Sequence, residues 1–125
     1  MNKVTGIIFL VDDIVSSVKF YTKLGFRVAS ELPNIATRVQ LGEFQIELLL
    51  KQKVVSEEYK EDIPARQKGA GAYLQIKVED VDSFYFLAKS NDVQISAIPK
   101  NYPWSQREFI VIDPNGYKIS FYSTI

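Results

Sequence analysis

The stretch PWSQREFIVIDPNGYKISFY, residues 103–122, decides how the end of the chain folds. It begins with a proline-bounded segment that contains the chain's single tryptophan, Trp104. Two segments rich in β-branched and aromatic residues follow, REFIV and YKISFY, and the sequence DPNG lies near their junction. Asp, Pro, Asn and Gly are the residues that tight turns prefer. The stretch therefore predicts a loop followed by a β-hairpin.

Working outward, the same kinds of element occur in both halves of the chain. A shift of 67 positions places VDDIVSSVKFY over VEDVDSFYFLA, so that a capping acid, a helix and the next strand coincide. Asp12 or Asp13 is the predicted cap in the first half, Asp80 in the second, and Gly25 sits where the first helix should end. Each half thus predicts the order βαβββ. The predicted strands cover residues 3–11, 26–30, 36–42, 43–50, 72–78, 93–98, 107–113 and 117–123, and the predicted helices residues 14–25 and 81–91.

Chain length and local composition predict the domain organisation. The 125 residues are enough for one core. Residues 51–70 are charged and poor in aromatics, which is typical of a linker. We therefore predict a single domain over residues 1–125, with module one at about 1–50, a linker at about 51–70 and module two at about 71–125.

Composition excludes several kinds of chemistry. The chain has no cysteine and no histidine, so it offers no disulfide, no thiolate, no Ser-His-Asp triad and no imidazole ligand. Fifteen basic residues balance fifteen acidic ones, which argues against nucleic acid and anionic membranes as partners. No membrane span or secretory signal is evident, so a cytoplasmic protein is predicted.

Four segments resemble one family: LVDDIVSSVKFYTKLGFRV, QIELLL, IKVEDVDSFYFLA and FIVIDPNGYKISFY. They are similar to the vicinal oxygen chelate superfamily, which includes glyoxalase I, extradiol dioxygenases and bleomycin-resistance proteins. The resemblance implies an α+β fold in which two tandem βαβββ modules form a curled mixed sheet around a cleft, with helices on the outer face. It also implies a homodimer.

The resemblance also identifies the positions of metal ligands in relatives. They fall on Gly6, Glu47, Tyr73 and Ser120, of which only Glu47 is a good ligand for a divalent ion. One carboxylate is too few for a catalytic site, which takes three or more protein ligands. We therefore predict no metal, no cofactor and no catalytic residue.

The segment YPWSQREF, residues 102–109, resembles the corresponding part of bleomycin-resistance proteins, which bind their drug without chemistry. The implied partner is a small organic ligand, such as a cationic aromatic antibiotic. Ser105 stands where that branch usually has glycine, so the resemblance does not fix the backbone conformation of this turn. The net charge of zero speaks against bleomycin itself, because a polycation is attracted by a negative protein.

Strand alternation gives a second argument, because successive side chains point to opposite faces. In three strands one face is apolar and the other carries Gln, Glu, Tyr, Lys and Ser. That second face is either a ligand site or a solvated surface. Trp104 either stacks on a ligand or fills the core or the dimer interface. Glu47 either pairs with a ligand cation or is bonded to Arg38 or Lys77.

The functional hypothesis is metal-independent binding of a small molecule, with antibiotic sequestration as one use. The predicted ligand-binding residues are Trp104, Tyr102, Glu47, Tyr73, Ser120 and Arg38. Two alternatives remain: a glyoxalase-like lyase or isomerase that uses Glu47 as base, and a sensor or interaction module.

Overall fold

The computed structural model of the chain describes residues 1–53, 57–64 and 68–125. Over these residues the order βαβββ occurs twice, which confirms the predicted α+β class and the two tandem modules. The bounds of the elements are β1 Gly6–Val11, α1 Ile14–Lys23, β2 Arg27–Leu32, β3 Ala36–Leu41, β4 Phe44–Leu50, α2 Glu57–Lys60, β5 Tyr73–Lys77, α3 Val81–Ser90, β6 Ile95–Tyr102, β7 Gln106–Ile112 and β8 Lys118–Thr124.

The chain divides into two compact units, residues 1–66 (unit 1) and residues 67–125 (unit 2). Each unit contains one four-stranded mixed sheet, with strand order β1-β4-β3-β2 in unit 1 and β5-β8-β7-β6 in unit 2. The first strand of each unit pairs in parallel with the last, and the remaining pairs are antiparallel. The grouping of both units into a single domain stays a prediction, as does a cleft enclosed by a curled sheet.

In each unit the helix covers the apolar face of the sheet. In unit 1, Tyr21 of α1 is completely buried together with Ile46 and Leu48 of β4. In unit 2, the ring of Phe84 on α3 lies 4.7 Å from that of Phe121, which is completely buried in β8. Since side chains alternate along a strand, the opposite face of each sheet carries the polar set that the sequence analysis singled out.

Both long helices begin with an aspartate cap at equivalent positions of the repeat. The Asp13 carboxylate accepts the backbone N–H of Ser16 at 3.2 Å, and the Asp80 carboxylate accepts that of Ser83 at 3.2 Å. These bonds satisfy N–H groups that have no partner within the helix. Gly25 follows the end of α1 with a φ of +99°, as its predicted place requires.

Two predicted strand bounds need correction. Strand β6 runs on to Tyr102 instead of ending at residue 98, and it accommodates Pro99 because it is an edge strand with register shifts. Strand β1 begins at Gly6 instead of residue 3. The linker over residues 51–70 stays a prediction; the structure shows a 3₁₀ turn at Lys51–Lys53 and the short helix α2 within it, while its residues 54–56 and 65–67 lie outside the described residues. No helix in the described part of the chain is long and apolar enough to cross a membrane.

Candidate functional site

The six predicted site residues lie on two different sheets. Arg38 on β3 and Glu47 on β4 belong to unit 1. Tyr73, Tyr102, Trp104 and Ser120 belong to unit 2, on β5, at the end of β6, in the turn after β6 and on β8. Each unit has a depression on the sheet face opposite its helix, and these depressions are described separately below.

The depression in unit 1 contains an ion pair. It has a volume of about 500 Å³, and its lining consists of Thr5, Gly6, Ile7, Ile8, Arg38, Gln45 and Glu47. Arg38 lies directly opposite Glu47 in the antiparallel register, and its Nε and Nη2 donate to Glu47 Oε1 at 3.1 and 2.9 Å. Glu47 is therefore bonded to Arg38, one of the two partners that the sequence analysis proposed for it. The guanidinium of Arg38 thus supplies positive charge beside this carboxylate.

The residues of unit 1 do not fit the metal site that relatives carry. Gly6 has no side chain, and a Cβ added there would collide with the carbonyl oxygen of Gln45 on the paired strand. Glu47 is the one carboxylate of this set, and it is already paired. Across the described residues, no three His, Cys, Asp or Glu side chains are grouped so that they could hold a metal ion. The charged group of this depression is therefore the hydrogen-bonded ion pair of Arg38 and Glu47.

The depression in unit 2 contains a buried hydroxyl without a partner. It has a volume of about 460 Å³, and its lining consists of Tyr73, Gln75, Trp104, Glu108, Ile110 and Ser120. Ser120 is only 4% exposed, and no hydrogen-bond partner for its Oγ exists among the residues that the structure describes. Buried hydroxyls almost always have a partner, and leaving one without costs about 1–3 kcal/mol. Such an atom at the floor of a depression suits a bound molecule that supplies the missing hydrogen bond.

An aromatic pair adjoins the same depression. The rings of Tyr102 and Trp104 stack with centroids 4.8 Å apart and an angle of 21° between their planes, yet Trp104 remains 59% exposed. The turn that presents Trp104 places Ser105 at a φ of +61° and bonds its N–H to the carbonyl oxygen of Tyr102 at 3.2 Å. Serine thus adopts the left-handed conformation that glycine takes readily. The turn therefore keeps a backbone that suits glycine at this position.

Arg107 and Glu108 are adjacent on β7, so their side chains point to opposite faces of the sheet. Arg107 points to the helix side, where its Nε and Nη2 donate to the two carboxylate oxygens of Asp82 on α3 at 3.0 and 2.9 Å. These hydrogen bonds raise the pKa of Arg107 above its ordinary value. Glu108 points to the other side and lines the depression. In the described part of the chain no ion pair involves Glu108.

The sequence analysis missed Gln75, Glu108 and Ile110 as members of this site. Gln75 and Ile110 lie directly opposite Ser120 on the two neighbouring strands, so the strand register brings the three side chains together. The signal that could have found them is this register, because residues paired across a sheet share a face. Alternation along one strand gives the face but not the neighbours.

The fold and these two depressions define a class: paired βαβββ modules with ligand-sized hollows on the sheet faces. Residues 3–121 match the profile of the Glyoxalase/Bleomycin resistance protein/Dioxygenase superfamily, and the chain belongs to that superfamily. This confirms the resemblance found in the sequence. Among curated proteins none matches the sequence significantly.

Several solved structures share the fold. A superfamily member from Sphaerobacter thermophilus DSM 20745 has a TM-score of 0.76 and 24% identity, covering 98% of this chain and 97% of its own. A lactoylglutathione lyase from Agrobacterium tumefaciens has a TM-score of 0.74 and 16% identity, covering 98% and 93%. TnmS3, an antibiotic binding protein from Streptomyces sp. CB03234, has a TM-score of 0.75 and 20% identity, covering 100% and 98%. At these identities the likeness concerns the fold alone.

Proposed function

We propose that this chain binds a small planar organic molecule on the sheet of unit 2, without a metal and without making or breaking a covalent bond. The observation that carries the proposal is the Ser120 hydroxyl, which is buried beneath a ligand-sized depression and has no partner among the described residues. A ligand group that bonds to this hydroxyl would remove its desolvation cost. The geometry supports binding, because the lining combines hydrogen-bonding groups with exposed aromatic rings.

The aromatic residues supply area for a flat ligand. Trp104 and Tyr73 both line the depression, and 59% and 54% of their surfaces are exposed. Exposed aromatic rings around a few directed polar groups are typical of small-molecule sites. A planar molecule between these rings would bury apolar area while its polar atoms reach Ser120 and Gln75. We assign Tyr102 the role of supporting Trp104 through the stacked contact.

Antibiotic sequestration is the physiological use that we propose for this binding. One structural neighbour, TnmS3, is an antibiotic binding protein, which makes the same use plausible for this fold at 20% identity. Sequestration lowers the free drug concentration by mass action and needs no turnover. The cationic antibiotic implied by the family resemblance is one candidate ligand, and the charges around the depression bear on it below.

A lyase or isomerase that uses Glu47 as base is the weaker hypothesis. The chain shares its fold with a lactoylglutathione lyase, but Glu47 accepts two hydrogen bonds from Arg38 through one oxygen. The carboxylate that would have to act as base is thus held by the guanidinium of a neighbouring strand. Arg38 and Glu47 lie in unit 1, so they stay predicted ligand-binding residues that the site proposed in unit 2 does not include.

The proposal is tested by a thermal-shift screen of antibiotics and planar metabolites, followed by fluorescence titration of the single tryptophan. A ligand at a hundred times its dissociation constant should stabilise the protein by about 2.7 kcal/mol. The same ligand should quench Trp104, and its stabilisation should shrink in a Trp104→Leu variant. The matched control is Phe86→Leu, which changes an aromatic residue that is 65% exposed on α3.

Two results would contradict the proposal. One is a screen in which no ligand both stabilises the protein and perturbs Trp104. The other is a ligand whose affinity falls in Phe86→Leu but not in Trp104→Leu, since that would place binding on the helix side of the sheet.

A further inference from the structure

The charges on the ligand-facing side of the unit 2 sheet are unbalanced. We call this side the polar face and define it by Tyr73, Gln75, Lys77, Lys100, Tyr102, Glu108, Ile110, Lys118, Ser120 and Tyr122, which share one side of the sheet by register and alternation. It carries three lysines and one glutamate. Unit 2 as a whole has six basic and six acidic residues, so the positive charge is concentrated on this face.

From this imbalance we propose that the ligand of unit 2 is an aromatic anion: a flat ring system bearing a carboxylate or a comparable oxyanion. The inference rests on the proposed function, since it names the chemical class that the same depression binds. It replaces the cation that the family resemblance implied. The argument follows from where the lysines and the acids of this unit lie.

The three lysines have no carboxylate partners in the described residues, because the ion pairs found there involve other side chains. Two of them lie over aromatic rings of the polar face instead. Lys118 Nζ is 5.7 Å from the ring centroid of Tyr73, and Lys100 Nζ is 5.2 Å from that of Tyr102. Lys118 is therefore held beside Tyr73, a ring on which a flat ligand would stack, and Lys100 beside Tyr102, which supports Trp104.

The acids of unit 2 that have structural partners are engaged elsewhere. Asp80 caps α3, Asp82 pairs with Arg107 on the helix side, and Asp113 accepts the backbone N–H groups of Asn115 and Tyr117 in the turn before β8. Glu108 is the carboxylate of the polar face and the one charged residue among those that line the depression, and it lies directly opposite Lys100 in the register. With three lysines and one glutamate, the polar face as defined carries a net charge of +2.

Hydrogen-bond donors lie next to one of these lysines. Lys118 and Ser120 are two residues apart on β8 and so share the polar face, and Gln75 lies directly opposite Ser120 on β5. An ammonium, a hydroxyl without a partner and a side-chain amide can all donate. Three donors at one corner suit an oxyanion, because hydrogen bonds to a charged acceptor are the strong ones. A cationic ligand would instead be repelled by the ammonium group of Lys118.

The test compares three probes with the same ring: 2-naphthoate, 2-naphthamide and 2-naphthylmethylammonium. Binding is measured by isothermal titration calorimetry, and its place by the NMR signal of the single Trp104 indole N–H. We expect 2-naphthoate to bind about tenfold more tightly than the ammonium probe and to shift the Trp104 signal. Its affinity should fall as the salt concentration rises.

Substitutions of single lysines test which ammonium group contributes to the binding of the anionic probe. Lys118→Gln should weaken 2-naphthoate binding about fivefold and leave 2-naphthamide binding nearly unchanged. The matched control is Lys89→Gln on α3, because Lys89 Nζ lies over the ring of Tyr85 at 5.6 Å, nearly the geometry of Lys118 on the opposite side of the sheet. That variant should leave the affinity for both probes unchanged.

The outcomes separate this inference from the proposed function. Should the amide or the ammonium probe bind as tightly as 2-naphthoate and shift the Trp104 signal, the site would stand and the anionic class would be wrong. Equal losses of 2-naphthoate affinity in Lys118→Gln and Lys89→Gln would also overturn the anionic class. Absence of any Trp104 shift with all three probes would count against the depression as a ligand site, and both proposals would fall.

Discussion

Ser120 shows how one atom can connect stability to binding. Its hydroxyl lies in the interior of β8, where Oγ has no partner among the described residues. A buried polar group without a partner destabilises the folded state, because the unfolded chain can bond the same group to water. A protein that keeps such a group retains it against a free-energy cost, and a ligand that bonds to it recovers that cost as affinity.

We therefore predict opposite effects of Ser120→Ala on stability and on binding. The free protein should gain about 1 kcal/mol in its free energy of unfolding, measured by urea denaturation, because the desolvated hydroxyl is removed. The affinity for a ligand that bonds to the hydroxyl should fall about fivefold.

The control for this prediction is Ser17→Ala. Ser17 is also fully buried, on α1, but it has an interaction partner in the structure. That variant should lose stability. If Ser120→Ala lost stability to the same extent, the Ser120 hydroxyl would have to be bonded in the folded protein, and our argument for the site would be wrong.

Individual residues also show where the sequence was informative about the site. The ion pair of Arg38 with Glu47 was one of two predicted alternatives, because opposite charges on neighbouring strands attract when the register aligns them. Glu108 was missed because its place in the site depends on the strand register, which sets it opposite Lys100 on β6 and Tyr122 on β8. Alternation along β7 gives the face of Glu108 but not these neighbours.

At the scale of the elements, the repeat predicts the first half of each unit better than the second. The shift of 67 positions superposes α1 on α3 and Asp13 on Asp80 without any offset. It fails for the last two strands, because β7 and β8 begin 70 and 74 residues after β3 and β4. The offset of β7 arises before it, because β6 is two residues longer than β2 and the connection before β6 is one residue longer than that before β2. The further offset of β8 arises because β7 is one residue longer than β3 and because residues 113–117 join β7 to β8 where Gly42 and Glu43 join β3 to β4. The hydrophobic period does not report these lengths.

The cap of α3 leads to a prediction about acid stability. The Asp80 carboxylate accepts the backbone N–H of Ser83 at 3.2 Å and the Ser83 hydroxyl at 3.0 Å. These hydrogen bonds, the backbone bond first, hold the pKa of Asp80 below its ordinary value of 3.8. A lowered pKa in the folded state means that the charged cap stabilises the protein above pH 3.8. That stabilisation is lost as the pH falls through the folded-state pKa.

Asp80→Asn tests this prediction, because asparagine also caps helices but does not titrate. We expect the difference in free energy of unfolding between wild type and Asp80→Asn to be constant above about pH 5 and to change as the pH falls further. The control is Asp92→Asn, which alters an aspartate just past the other end of the same helix. A difference between wild type and Asp80→Asn that does not depend on pH would rule out a role for the charge in capping.

For the whole molecule, the distribution of charge is more informative than its sum. Unit 1 contains nine basic and nine acidic residues, and unit 2 contains six of each. Composition alone therefore predicts no electrostatic preference for a ligand. The preference arises from folding, which gathers lysines on the polar face of unit 2 and places Asp80 and Asp82 on its helix side. This is the part of the function that a count of residues could not predict.

Metal binding is the last question that concerns the whole chain. Members of this superfamily share the fold, so the fold itself does not decide whether a metal is bound. The side chains argue against a bound metal: Gly6 has no room for a Cβ, Glu47 is paired with Arg38, and Tyr73 and Ser120 are weak ligands.

We therefore expect the protein, purified from medium supplemented with Ni, Zn, Mn and Fe, to contain far less than one metal ion per chain. Its unfolding temperature should be the same with and without EDTA, because a resident metal would stabilise the folded state by its binding free energy. Glu47→Gln is the control, since it removes the one strong ligand of the set. A stoichiometric metal that disappears in Glu47→Gln, together with a lower unfolding temperature in EDTA, would show that this donor set binds an ion after all.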